Sequence, residues 1–109
     1  MAYIQNIEHE KILRLAEQIS AGPGQVVSKT LVQNEAVGLT LFAFSEGSQI
    51  SGHSAPGDAM VTVLEGKGRV TVGGEVFYLE AGETLIMPKD IPHAVYGEER
   101  FKMQLVVSY

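Results

Sequence analysis

Cysteine and tryptophan are absent from this chain of 109 residues, and no apolar run is long enough to cross a membrane. Without cysteine the protein has no disulfide, no thiolate nucleophile and no thiolate metal ligand. A membrane-spanning helix needs about 18 or more consecutive apolar residues, so no membrane contact is predicted. The first six residues also lack a basic segment followed by an apolar one, which argues against a secretory signal. We therefore expect a cytoplasmic protein.

Basic residues are scarce as well. Eight Lys and Arg stand against thirteen Asp and Glu, so the formal net charge at pH 7 is −5. The eight are dispersed along the chain and form no cluster. Because a nucleic-acid-binding surface needs concentrated positive charge to neutralise phosphates, the sequence predicts no nucleic-acid partner.

Most of the chain consists of short runs rich in Val, Thr, Ile and Phe, separated by turn residues. Such runs favour strands, and many short strands with frequent turns indicate a β-sandwich or barrel. Gly73-Gly74 lies between two runs and predicts a tight hairpin, because glycine readily adopts positive φ. The predicted strands are Val26–Val32, Val37–Phe44, Ala59–Leu64, Arg69–Val72, Val76–Leu79, Thr84–Met87, His93–Tyr96 and Phe101–Val107.

The amino-terminal segment has a different pattern. Four apolar residues recur there at helical spacing: Ile12, Leu15, Ala16 and Ile19. This stripe predicts a short helix, with Asn6 as its cap and Gly22-Pro23 ending it. We therefore expect a single domain in which residues 1–24 form a helix and turn and residues 25–109 form the β-barrel.

Two of the three histidines follow turn-rich segments and precede predicted strands. They are His53 and His93, whereas His9 lies among charged residues and is predicted to face solvent. Inward-facing side chains of a small closed barrel converge, so the two histidines can meet in its lumen. Neutral imidazole is a common metal ligand, but such a pair can equally hydrogen-bond to water or to a bound molecule.

Six residues stand at fixed offsets that include these histidines: Gly47, His53 and Gly66, then Gly82, Pro88 and His93. Their spacing resembles the two conserved motifs of the cupin superfamily, and the chain is similar to small, single-domain, RmlC-like bacterial cupins. The resemblance covers about residues 25–107. It implies an all-β fold, the cupin-type double-stranded β-helix or jelly-roll barrel, with the short helix preceding it.

The sequence departs from the family motif at the metal ligands. The family's second histidine falls on Ala55 and its glutamate on Ala59, so His53 and His93 alone remain of four usual ligands. The resemblance thus implies at most a weakly or incompletely coordinated divalent ion (Zn, Mn, Fe, Ni or Co). Gln104 on the last strand is a candidate further ligand. Loss of the carboxylate lowers both ligand number and charge, which weakens metal binding.

The same two alanines open space beside the imidazoles. Val61 and Val95 are predicted to line the same face, so the candidate pocket comprises His53, His93, Ala55, Ala59, Val61 and Val95. Aliphatic walls with a few polar groups are typical of small-molecule sites. The alternative is that larger neighbours fill the lumen, which would leave the imidazole nitrogens without partners at a cost.

Two functions remain open. One is metal-assisted chemistry on a small molecule, which uses the open coordination positions of an incomplete site. The other is a non-enzymatic metabolite-binding or sensor module without metal. Fold alone does not choose between them. The resemblance also implies a homodimer, in which the edge of the strand Val26–Val32 would be covered.

Overall fold

The computed structural model describes residues 3–109. Met1 and Ala2, which begin the predicted helical segment, lie outside the described residues. Eight of the nine strands correspond to predicted ones, with bounds that differ by at most two residues. The strands are β1 (Val26–Gln33), β2 (Val37–Phe44), β3 (Gln49–His53), β4 (Asp58–Glu65), β5 (Lys67–Val72), β6 (Glu75–Glu80), β7 (Thr84–Met87), β8 (His93–Gly97) and β9 (Phe101–Ser108).

The strands form two antiparallel sheets. The first has the order β1-β2-β9-β4-β7 and the second the order β3-β8-β5-β6. Consecutive strands therefore alternate repeatedly between the sheets, as in a double-stranded β-helix. The all-β jelly-roll prediction is confirmed. No helix among residues 3–109 has the length and apolar character needed to span a membrane.

The main core lies between the two sheets and follows from strand alternation. On β4, Ala59, Val61 and Val63 are buried whereas Asp58 and Met60 are exposed, so one face of the strand points inward. Phe44 and Phe101 stack in this core with ring centroids 4.5 Å apart. Burial of each large apolar side chain contributes about 1.5–3 kcal/mol. The walls of the barrel are therefore held by ordinary sheet-on-sheet packing.

The prediction of an amino-terminal helix is wrong. The only helical element described is one 3-10 turn, Leu15–Glu17, and Ile12 of the predicted apolar stripe is 99% exposed. Asn6 and Glu10 have φ of 63° and 56°, which a right-handed helix cannot accommodate. Isolated helices of this length are marginal in water, so local propensity was easily overridden.

The segment instead packs against the outer face of the first sheet. Ile7, Leu15 and Ile19 join a second apolar cluster with Leu31 and Leu41. The Gln5 N–H also donates to the Leu31 carbonyl, and the Asn6 side chain donates to the Thr30 carbonyl, both at 2.8 Å. The amino-terminal segment thus covers part of the β1 edge, a role that the sequence suggested for a partner subunit.

The Gly73-Gly74 hairpin is confirmed. These residues have φ of 57° and 96°, and they connect β5 to β6 immediately after the Val72–Glu75 pair. The left-handed conformation at both positions matches the twist of the flanking strands. The hairpin fixes the register of β5, which pairs with β8 on its other side.

Candidate functional site

The pairing of β3 with β8 brings the two motif histidines together. His53 and His93 are opposite each other in this pair, with ring centroids 6.5 Å apart and ring planes inclined by 25°. The β3 register shifts between Ile50 and His53, where Gly52 has φ of 72°. This irregularity sets the position at which His53 faces His93.

Both histidines line a cavity of about 350 Å³. Three other residues of the predicted pocket, Ala55, Ala59 and Val95, line it as well. Val61 does not, because it is fully buried in the core between the sheets. Val61 therefore lies on the predicted face of β4, but it is buried too deeply to line the cavity.

Six further residues, which were not predicted as part of the pocket, also line the cavity. Most are apolar residues from the inner faces of the strands, and they give the cavity its largely hydrophobic character. The six are Phe42, Ile50, Ser54, Met87, Met103 and Leu105. The alternation of β9 carried a usable signal, because Met103 and Leu105 share one face of that strand. Met87 enters the wall as the cross-strand partner of Ala59, a pairing that only the structure shows.

Gln104 was predicted as a candidate further metal ligand, but it lies on the face of β9 that points away from the two histidines. It lines a different cavity, of about 430 Å³, beneath the amino-terminal segment with Ile7 and Leu15. Strand alternation explains the separation, since Met103 and Leu105 on either side of Gln104 point toward the imidazole site. His9 lines the second cavity and donates through Nε2 to the Ile4 carbonyl at 2.8 Å.

Two loops that flank the site are tied together by hydrogen bonds. The Lys89 N–H donates to Oδ1 of Asp58, and the Asp90 N–H donates to the Ala55 carbonyl, at 2.8 and 2.9 Å. Asp90 has φ of 63°, a conformation that Asp tolerates better than most residues. The segment 88–92, which leads directly into His93, is thus held against the loop that carries Ala55.

Burial is the main influence on the His93 imidazole. It lowers the pKa of His93 from the ordinary value of 6.5, and the neighbouring His53 lowers it further, while the backbone hydrogen bond of Ile91 opposes the change. Burial disfavours the charged form, so this ring is neutral at pH 7. A neutral imidazole both donates and accepts hydrogen bonds.

The residues present do not fit a divalent metal ion. Among residues 3–109, no group of three or more His, Cys, Asp and Glu is arranged to hold a metal. The rest of the wall offers thioether and hydrocarbon groups, which are poor partners for hard divalent ions, and one hydroxyl, that of Ser54, which carries no charge. Two neutral imidazoles cannot offset a double positive charge in an apolar cavity, and the missing carboxylate at Ala59 has no replacement on the wall.

Comparison with known proteins agrees with the fold. The family model described as "Cupin domain" matches residues 40–109. No curated protein matches the chain.

Solved structures give close matches. A conserved protein of unknown function from Streptococcus pyogenes is 45% identical, with a TM-score of 0.94, and the match covers 99% of this chain and 95% of that one. A cupin superfamily protein from Desulfitobacterium hafniense is 32% identical, with a TM-score of 0.93 and 98% of each chain covered.

A more distant structure shares the fold alone. Salicylate 1,2-dioxygenase from Pseudoaminobacter salicylatoxidans is 20% identical, with a TM-score of 0.72 over 85% of this chain and 27% of that one. The family model spans more than half of the chain, and the Desulfitobacterium match covers nearly all of it. The chain therefore belongs to the cupin family.

Proposed function

We propose that this protein binds a small organic molecule in the cavity beside His53 and His93, without a divalent metal. The observation that carries the proposal is the composition of the wall: two imidazoles among mainly apolar side chains. Ligand sites commonly combine such a hydrophobic surface with a few polar groups that fix orientation. The apolar wall supplies affinity, and the imidazoles engage the polar end of the molecule.

The cavity volume supports this function. At about 350 Å³ it lies at the small end of the range of ~300–1,000 Å³ that is usual for ligand pockets. Ala55 and Ala59 leave the space that histidine and glutamate occupy in the family motif. A binding role uses this space directly, whereas metal-assisted catalysis would require ligands that the wall lacks.

A ligand screen tests the proposal. Small molecules are added to the metal-free protein, and binding is measured by thermal shift and by NMR signals of the Met87 and Met103 methyl groups. Molecules that bind the site should lose about three- to tenfold in affinity in His53→Ala and His93→Ala, since each variant removes a hydrogen-bonding partner of the ligand. Equal affinity for wild type and both variants would contradict the proposal.

The homodimer expected from the sequence is retained as part of this proposal. Met60 and Ile86 are cross-strand partners on the outer face of the first sheet, and they are 40% and 52% exposed. A second copy that packs on this face would remove both side chains from water, which is favourable in proportion to the apolar area buried. The face lies across β4 and β7 from the imidazole cavity, so pairing leaves the site intact.

A further inference from the structure

The cavity wall contains no charged side chain. Among residues 3–109, the eleven that line it include neither Lys nor Arg and neither Asp nor Glu. A charged group moved from water into such surroundings without a partner of opposite sign loses hydration that nothing replaces. Carboxylates, phosphates and ammonium groups are therefore all disfavoured inside.

The loops around the cavity do not compensate. Asp58 and Asp90 flank it with Lys89, and all three are exposed. The Asp58 carboxylate already accepts the Lys89 N–H, and neither acid reaches the wall. Two acids against one base make the rim unfavourable for an entering anion, and the whole chain carries a net charge of −5. The same acids cannot pair with a cation held deeper in the cavity.

The polar groups that do line the cavity suit a hydroxyl. Imidazole and the Ser54 side chain can each donate and accept a hydrogen bond, as can a hydroxyl group. The 6.5 Å between the His53 and His93 ring centroids leaves room for one oxygen atom hydrogen-bonded to both, because each such bond spans ~2.8 Å. A hydrocarbon without a hydroxyl offers these groups no hydrogen bond.

The remaining wall suits a compact apolar body. Phe42 offers an aromatic surface, and Met87 and Met103 carry flexible thioether side chains that adapt to the outline of a ring. We propose that the site selects uncharged molecules with one hydroxyl group on a compact apolar body, such as alkylphenols, and rejects charged molecules of the same shape. This inference rests on the proposed function, whose site it shares.

Four molecules with one common body test the selection. They are 4-propylphenol, 4-propylbenzoate, 4-propylbenzylamine and propylbenzene, titrated at pH 7.5 with a metal chelator present and followed by the Met87 and Met103 methyl signals. We expect 4-propylphenol to bind at least about tenfold more tightly than the benzoate and the amine, because those bury an unpaired charge. It should also exceed propylbenzene by about fivefold or more, since only the phenol pairs the imidazoles.

Two variants test which side chain hydrogen-bonds to the hydroxyl group of the ligand. His53→Ala should reduce the advantage of 4-propylphenol over propylbenzene to less than about twofold, because one hydrogen-bonding partner is lost. His9→Ala, which removes a histidine from the other cavity, should leave that advantage unchanged. Because His53 and His9 are both exposed, neither substitution is expected to unfold the protein.

The outcomes separate this inference from the proposed function. If 4-propylbenzoate or 4-propylbenzylamine binds as tightly as 4-propylphenol, the selection for uncharged hydroxyl compounds is wrong while binding in the cavity stands. If none of the four molecules perturbs the Met87 and Met103 signals at its solubility limit, the proposed function fails together with the inference.

Discussion

The carboxylate of Asp58 accepts a hydrogen bond from the backbone N–H of Lys89, with 2.8 Å between Oδ1 and the nitrogen. The two residues are 31 positions apart, and the bond joins the start of β4 to the loop before β8. Since His93 begins β8, the contact positions one half of the imidazole pair relative to the loop that carries Ala55. Its consequences can be measured.

Replacement of Asp58 should loosen the loop that precedes His93. We expect Asp58→Ala to lower the free energy of unfolding by about 1 kcal/mol and to speed hydrogen exchange of the Lys89 amide, because that N–H loses its acceptor. Asp58→Asn keeps an oxygen at the same position and should have a smaller effect. The exposed Glu35→Ala is the matched control, and equal exchange of the Lys89 amide in all three variants would contradict the assignment.

Filling the cavity should abolish binding without unfolding the protein. Ala59→Leu places three more carbon atoms beside the cavity, on a residue that is 1% exposed. We expect affinity for ligands of the site to fall at least about tenfold, while the cost in stability stays within ~1–3 kcal/mol. Ala36→Leu, at an exposed position in the β1–β2 turn, should change neither. Unaltered affinity in Ala59→Leu would show that ligands bind elsewhere.

Stability should depend on pH through His93. Its pKa is lowered in the folded state by burial, so below pH 6.5 the unfolded chain takes up a proton before the folded chain does. The free energy of unfolding therefore decreases as the pH falls below 6.5, until the pKa of the folded state is reached.

Thermal melts between pH 5 and 7.5 measure this effect. His93→Gln cannot titrate, so its melting temperature should fall less over this interval than that of the wild type. His9→Gln serves as the control for loss of a histidine elsewhere and should follow the wild type. An identical pH dependence in His93→Gln and wild type would remove His93 as the source.

Divalent metals should not occupy the site stoichiometrically. Protein purified without a chelator or a nickel column should contain well under one divalent ion per chain, since two imidazoles lack a third ligand and an anionic partner. Added Mn, Fe, Co, Ni or Zn should give no thermal shift that His53→Ala and His93→Ala abolish. One tightly bound ion per chain, lost in both variants, would contradict the conclusion that the residues lining the cavity do not fit a divalent metal.

Charge on the outer face of the first sheet should prevent pairing of two copies. Met60→Lys and Ile86→Lys should convert dimers to monomers in light scattering coupled to size-exclusion chromatography, because a buried lysine would lack a partner. Val76→Lys is a suitable control, since Val76 is 48% exposed on the other sheet. A wild-type protein that is monomeric at high concentration would rule out the dimer.

Sequence patterns predicted eight of the nine strands, because the alternation of apolar residues and the turn residues between strands are local features of the sequence. The Gly73-Gly74 hairpin could be identified for the same reason: two glycines between apolar runs have few other uses. β3 was not predicted, because it lies at a sheet edge and is largely exposed, so its sequence lacks an alternating apolar face. The helix prediction failed because Ile7, Leu15 and Ile19 pack individually on the first sheet.

The candidate site was only partly predictable. His53 and His93 could be identified as site residues because both stand at the spacing of the two family motifs. Phe42 and Met87 look like ordinary core residues in the sequence, and only the packing of the sheets shows that they border open space. The depth of Val61 likewise depends on both sheets at once.

The peripheral place of β3 has a mechanical consequence. This strand is hydrogen-bonded to β8 alone and stands at the margin of its sheet, with little apolar surface to hold it down. Elements of this kind detach at a lower free energy than the rest of a domain. Transient peeling of β3 would carry His53 away from His93 while the interior stays folded, which would widen the opening through which guest molecules reach the cavity.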